Sequence, residues 1–397
     1  MSSRNQKWWV FLLALFIVGS GVSSKAYADP EFKLAKYLQE VRMGGDYRLR
    51  FDSEHYQRGA TADRSRFRMR LRLNMDFIFP DNFAVKTTFA SGTGEATSTN
   101  QTFTGLNSQK ALWIDRAYVE WGPWDWLKLQ GGRMANPLWT IYASDVVWDA
   151  DVNPEGFSQG FNRLVGSNFN VFFNAMQMIA VERSGDVHDG SLFVEQVGTE
   201  VRLPLESRLK VAGAYYDWKN INQSNFGQLK AQEGNRRNNT GSVTAAGNNN
   251  QVLTSTYGVV EFTAELSGWL FRKPLSIQGT FIKNNRIHGS GSLYAEKENV
   301  GYQVGTIFGK AKEARTWELA YFYKYVQGDA TVADIADSDF GPGGINRYGH
   351  IMWAGYSPSE WLNFRVKYLM TKNIEKTISF GQTGDVNRIQ VDTQVKF

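Results

Sequence analysis

Between Arg64 and Phe79 the chain alternates without a break: Phe67, Met69, Leu71, Leu73, Met75 and Phe77 fall between Arg66, Arg68, Arg70, Arg72, Asn74 and Asp76. A helix would scatter these arginines around its whole circumference. Only a period of two sorts the apolar residues onto one face and the polar residues onto the other, and that is an extended strand. At about 3.3 Å per residue it is long enough to cross a bilayer at a tilt. The same rhythm returns at Trp317, Leu319, Tyr321, Tyr323 and Tyr325, with Glu318 and Lys324 on the opposite face. It recurs at Leu362, Phe364, Val366 and Tyr368, and again at Ile389, Val391, Thr393, Val395 and Phe397.

The N-terminus states where such strands reside. Arg4 and Lys7 precede an apolar run from Trp8 to Val18, and Ala26-Tyr27-Ala28 offers a small-residue cleavage site before Asp29. This is the pattern of a secretory signal peptide, with an apolar run too short for a membrane-spanning helix. No long apolar segment follows it, and mean hydropathy is −0.40. Export without a membrane helix leaves a soluble secreted protein or an outer-membrane β-barrel, whose alternating strands average to a hydrophilic composition. Aromatic residues at 14%, with 38 Gly against 9 Pro, favour the barrel and its interfacial girdles. With no Cys, neither disulfides nor thiolate metal sites contribute, and a hydrogen-bonded ladder must hold the fold. Arg4, Lys7 and Lys25 supply much of the formal +5 charge, so the basic balance says little about nucleic acid, and no nucleic-acid partner is expected.

Turn chemistry sets the topology. Short connections at Phe79-Pro80-Asp81-Asn82, Gly122-Pro123-Trp124-Asp125, Gly166-Ser167-Asn168, 203–207 and 357–360 alternate with long polar ones at 52–63, 91–109, 137–158, 220–251 and 328–346. The expectation is an all-β, transmembrane antiparallel β-barrel of about 16 strands, with short periplasmic turns, long extracellular loops and both termini in the periplasm. It divides into a signal peptide at 1–28, a short periplasmic segment at 29–42 and a barrel at 43–397. Phe32, Leu34, Tyr37 and Leu38 form the apolar side of a short helix in the second of these. The Asn-, Gln- and Gly-rich stretch 220–250 reads as an outer loop.

One face of every barrel strand meets lipid and the other lines the lumen. The lumenal face of the first two strands carries Arg48 and Arg50 beside Arg66, Arg68, Arg70 and Arg72. Like charges opposed across strands destabilise by a few tenths to about 1 kcal/mol per pair, so counter-charges are required. The third long loop holds Asp145, Asp149, Asp151 and Glu155 among Trp139, Tyr142, Trp148 and Phe157. The expectation is that it folds into the lumen and turns these acids toward the arginines, making a transverse field across a constriction. Packing on the outer rim, or a calcium site, are the alternatives, although the acid spacing is not that of an EF-hand.

The runs 64–73, Ala111-Leu112-Trp113-Ile114-Asp115-Arg116-Ala117-Tyr118-Val119-Glu120-Trp121, Gly131-Gly132-Arg133-Met134-Ala135-Asn136-Pro137 and 148–156 resemble the bacterial "putative porin" family, densely from about Gly44 to Gly160. The resemblance implies an outer-membrane channel for small hydrophilic solutes and ions and names no solute. Within the matched region Arg116, Tyr118 and Glu120 share the lumenal face with Lys86 of the third strand. A terminal aromatic such as Phe397 resembles the signal read by the outer-membrane assembly machinery. Barrels of this kind sit among outer-membrane lipid and lipopolysaccharide and are commonly homotrimers. A mild anion preference follows from the basic wall, and a channel for phosphate or acidic solutes is the nearest alternative.

A barrel hydrolase and a surface adhesin are rivals of another class. Gly156-Phe157-Ser158-Gln159-Gly160 matches a nucleophile pattern, but that motif requires a strand-to-helix elbow, and here a Pro-containing acidic loop precedes it and a strand follows. His55, His188, His288 and His350 are widely separated and fit no metal spacing. No catalytic residue, metal or cofactor is expected. Mass spectrometry of the protein recovered from outer membranes is expected to place the mature N-terminus at Asp29; an intact Met1 would mean the leader is retained.

Overall fold

The computed structural model describes residues 36–57, 62–142, 144–182, 188–221, 235, 237–239, 251–253, 255–287, 298–374 and 384–397. The leader and positions 29–35 of the proposed helix lie outside these residues, as do most of 220–250 and His288.

Sixteen antiparallel strands form the wall. They are β1 (Glu40–Tyr56), β2 (Arg64–Phe79), β3 (Phe83–Ser91), β4 (Leu112–Trp124), β5 (Leu127–Arg133), β6 (Glu155–Val165), β7 (Phe169–Val181), β8 (Gly190–Arg202), β9 (Arg208–Lys219), β10 (Gly258–Leu270), β11 (Lys273–Asn284), β12 (Val300–Gly309), β13 (Thr316–Val326), β14 (Arg347–Ser359), β15 (Leu362–Asn373) and β16 (Val386–Lys396). Each pairs with its neighbours in sequence, and β16 pairs with β1, so the sheet closes and no edge is left to hydrocarbon. A two-residue strand, Gln101–Thr102, adds to β2 opposite Met69 and Arg68 above the short β3. β1 begins at Glu40, so the positions just before 43 that read as periplasmic belong to the wall. It also runs on to Tyr56, which takes Asp52 out of the first loop and into the lumen.

Short turns gather at one end and long loops at the other. Two turns absent from the sequence expectation complete the set: Leu270 pairs directly with Lys273 across Phe271 and Arg272, and residues 310–315 join β12 to β13. Phe271 and Arg272 both take positive φ, 49° and 60°, the left-handed pair whose twist suits a two-residue hairpin.

The outward faces carry the apolar half of the alternation. Phe67, Val119, Trp121, Phe281, Leu319, Tyr321, Phe364 and Val391 are exposed to the barrel's surroundings. Inside, the lumen is divided. Met176, Leu192, Val194, Tyr216, Trp218, Val259, Ile282 and Val326 on β7 to β11 and β13 form a buried apolar cluster with residues of two loops. Those loops are L3 (134–154), which contributes Leu138, Val146, Val147, Trp148 and Val152, and L7 (327–346), which contributes Ala330, Val332, Ile335 and Ile345. Each large apolar side chain so buried stabilises the inserted loops by about 1.5–3 kcal/mol, against about 1–2 kcal/mol of backbone entropy per ordered residue. Part of the lumen is therefore dry core, and open cavities lie against the rest of the wall.

The seam between the first and last strands depends on one glycine. Gly45 N donates to Phe397 O at 2.8 Å, Phe397 N donates to Gly45 O at 3.2 Å, and a Cβ on Gly45 would stand 2.2 Å from Arg72 O and 2.9 Å from the Phe397 ring. Gly45→Val is expected to cost about 1–3 kcal/mol through overpacking and to lower the yield of the compact, fast-migrating form on unheated gels. Unchanged yield and thermal midpoint would mean that the ring and backbone move aside freely.

Candidate functional site

The first two strands place the arginines in register. Arg48 faces Arg70 and Arg50 faces Arg68, flanked by Asp46 opposite Arg72 and Asp52 opposite Arg66. On the other side of β1, closure brings Asp392 opposite Arg50 and Arg388 opposite Glu54. The wall is thus a woven ion-pair network. Arg70 Nη2 is 2.6 Å from Asp46, Arg50 Nε is 2.7 Å from Asp392, Arg388 Nε is 2.7 Å from Asp52, and Arg66 Nη2 is 2.8 Å from both Asp52 and Glu54. Most of the expected counter-charge therefore comes from the strands and from L7, where Asp339 reaches Arg50 at 3.0 Å and Arg388 at 3.2 Å. The third loop supplies the wall with Asp151, 3.7 Å from Arg72.

L3 does enter the lumen and crosses it. Trp139 exchanges two 2.8 Å hydrogen bonds with Gln196 of β8, Ser144 Oγ donates to Thr280 Oγ1 of β11 at 3.0 Å, and Arg365 of β15 donates to the Tyr142 hydroxyl at 2.5 Å. L7 descends to meet it. Asp149 N donates to Ile335 O at 2.7 Å, and Ser338 N donates to the Asp149 carboxylate at 2.9 Å. Lys324 of β13, 1% exposed, clamps the pair by donating to Asp145 O and to Asp337 Oδ2, each at 2.9 Å. L2 (92–111) closes the third side: Ser338 Oγ donates to Thr97 O at 2.9 Å, and Arg48 Nη2 donates to Asn100 Oδ1 at 2.6 Å.

Two cavities flank this junction. One of about 820 Å³ toward the turn end is lined by Arg48, Arg50, Arg70 and Arg72 facing Asp145, Asp149 and Asp151. Another of about 280 Å³ toward the loop end is lined by Arg64, Arg66, Arg68 and Arg388 with Glu54 and Glu95.

Other expected residues fall elsewhere. Lys86 and Glu120 pair at 2.9 Å on the lumenal side of β3 and β4, with Tyr118 beside them, away from the cavity wall. A register shift at Thr88 and Phe89 turns Asp115 inward together with Arg116, and Asn153 of L3 bridges the two, donating to Asp115 at 2.9 Å and accepting from Arg116 at 2.8 Å. Glu155 is a correction: it begins β6, is 62% exposed and pairs with Arg133 at 2.7 Å, so it is no constriction acid. Phe157 likewise faces outward on β6 and is not part of the loop. Ser158 lies in mid-strand and donates to Gln130 Oε1, without the elbow its motif requires. His55 pairs with Asp63 at the rim, and His350 faces outward beside Tyr321. Among the described residues no group of three or more His, Asp or Glu is arranged to hold a metal ion.

Arg388, Asp392, Asp337 and Asp339 were assigned no role in the sequence reading, and Lys324 figured there only on the polar face of its strand. Arg388 and Asp392 were within reach of it, because a closed barrel must pair its last strand with its first, setting their polar faces side by side. The loop acids carried no comparable signal.

The profile of a family described as "Putative porin" matches residues 39–249 and 227–397. No curated protein matches the chain. Among solved structures, the high-pH form of OprB from Pseudomonas putida is similar at 12% identity and a TM-score of 0.52, over 90% of this chain and 94% of that one. The outer membrane channel DcaP of Acinetobacter baumannii aligns at 15% identity and a TM-score of 0.46, over 90% and 97%. A loop-deletion form of OmpT from Vibrio cholerae aligns at 9% identity and a TM-score of 0.49, over 90% and 99%.

The acids where L3 meets L7 are not equivalent. Burial, reinforced by the nearby Asp337 charge, pushes Asp145 up to about 7, and burial with Asp145 and Asp151 beside it also raises Asp149. Burial opposes the charges on Asp151 and Asp337 as well, but Arg72 and Arg70 hold the first, and Lys324 and Lys367 the second, below the usual range. A carboxyl with a raised pKa favours the docked loop while protonated, so Asp145 weakens docking as pH rises from its ordinary 3.8 to about 7 and adds nothing further above that. The low-lying pair loses its stabilising charge only in stronger acid. Single-channel recordings are expected to show a quieter, narrower conductance at pH 5 than at pH 8, with the difference much reduced in Asp145→Asn. Equal conductance at both pH values in the native chain would refute this account.

Proposed function

Because the chain belongs to the "putative porin" family, it is an outer-membrane channel barrel, and we propose that it passes small hydrophilic solutes and ions by passive diffusion with a mild preference for anions. The observation that carries this reading is the composition of the larger cavity. Nine Arg or Lys and eight Asp or Glu side chains line its roughly 820 Å³. Two of those acids, Asp145 and Asp149, have their ionisation opposed by burial and by neighbouring carboxylates, which tips the local field to positive. The smaller cavity is basic outright, with four arginines against two glutamates. Cations aligned on one side and acids carried in by loops on the other make a transverse field that orients dipolar solutes and slows cations more than anions.

Under a salt gradient in a planar bilayer, the native protein is expected to give stepwise conductance with a reversal potential on the anion side. In Arg68→Ala/Arg70→Ala the potential is expected to move most of the way to zero. A cation-side potential in the native protein would overturn the preference, and absence of conductance would overturn the channel reading.

A further inference from the structure

The arginines of the wall are not equally neutralised. Arg50, Arg66, Arg70, Arg72 and Arg388 each have a carboxylate oxygen within 3.4 Å. Among the described residues Arg48 and Arg68 do not: their nearest carboxylates there are Asp392 at 4.0 Å and Asp52 at 3.7 Å. Both acids are already held at 2.7 Å by other guanidinium groups, Asp392 by Arg50 and Asp52 by Arg388. The hydrogen bonds that Arg48 and Arg68 do make go to neutral oxygens of L2, Asn100 Oδ1 at 2.6 Å and Ser98 Oγ at 3.3 Å. The buried Nε of each finds no acceptor among the described residues. The two side chains are only 13% and 12% exposed, a setting in which an incompletely paired cation is costly.

Their position gives the surplus a purpose. Arg68 lines the smaller cavity toward the loop end and Arg48 the larger one toward the turn end, while Asn100 and Ser338 line both. Arg48 pairs with Arg70 and Arg68 with Arg50, so the two lie diagonally on adjacent strands, a spacing of about 7–8 Å. One small anion lodged between the cavities meets both.

We propose that Arg48 and Arg68, flanked by Asn100 and Ser338, form a binding subsite for a small oxyanion, a carboxylate or a phosphate, at the passage between the two cavities. Guanidinium forks match the paired oxygens of such groups and favour them over a spherical halide. Two incomplete cations flanked by neutral side chains hold the anion loosely enough to release it, as conduction requires. The inference rests on the anion-conducting reading and adds to it a place and a ligand chemistry.

Inorganic phosphate is the probe. In the full-length native channel, phosphate is expected to reduce the chloride current saturably. The half-blocking concentration is expected to rise about tenfold or more in Arg48→Gln/Arg68→Gln, the order lost with charge-assisted hydrogen bonds. Arg163→Gln/Arg202→Gln, which removes equal charge from the exposed turn end, is expected to leave it unchanged. Native block that does not saturate, or saturable block that survives the first double substitution, overturns the subsite while leaving the channel in place. If the native protein conducts nothing, the channel reading fails separately, and calorimetric titration of phosphate into the detergent-folded native and double-variant barrels decides the subsite alone: weaker binding in the variant supports it, equal binding refutes it.

Discussion

Closure of the sheet is the constraint on which everything else in this molecule depends. In hydrocarbon an unpaired backbone N–H or C=O costs several kcal/mol, so a membrane-crossing sheet can have no edge. Pairing of β16 with β1 removes the last edge, and the Gly45 and Phe397 hydrogen bonds complete it beside the end of β16. The same pairing assembles the charged wall, because it sets Arg388 and Asp392 beside Glu54 and Arg50. Electrostatics in the lumen is thus a consequence of backbone hydrogen bonding at the seam.

Closure also explains how the lumen can be part solid and part open. A sixteen-strand wall encloses more space than its own side chains fill. On β7 to β11 and β13 a cluster of apolar lumenal side chains draws L3 and L7 down onto it, burying Trp148, Val152, Val332 and Ile335. On β1, β2 and β16 the lumenal positions are charged and line the cavities instead. The boundary between the two regions falls where Lys324 joins the Asp145 carbonyl to the Asp337 carboxylate. The acids at that boundary sit in a low-dielectric margin, which is why neighbouring carboxyls there depart from the usual range in opposite directions.

Much of this was legible beforehand because a strand writes its two environments directly into the chain. The arginines at 66, 68, 70 and 72 could face nowhere but a lumen, and the even strand number followed from the alternation of short and long connections. The acidic, aromatic character of L3 told correctly that it leaves the solvent, with Trp148 buried at 3% exposure. Glu155 and Phe157 were assigned to that loop because a strand beginning Glu-Gly-Phe-Ser carries no clean alternation. L7 escaped notice for a related reason: its sequence, rich in Asp, Gly and Ala, reads as solvated, and only the apolar patch waiting for it on distant strands makes burial favourable. The apolar lumenal positions on β7 to β11 were equally silent, since alternation weakens where both faces of a strand are dry.

The amino-acid sequence by itself determined the strand character, the approximate strand number and which face of β2 carries its arginines, all of them encoded in residues close together in the chain. Which carboxylate neutralises which arginine, and which arginines are left short, was decided only by tertiary structure. Arg50 lies 342 positions from Asp392, and Arg388 lies 336 from Asp52. Coulomb energy depends on distance in space, and no local pattern carries information about a distance that only closure of the whole barrel creates.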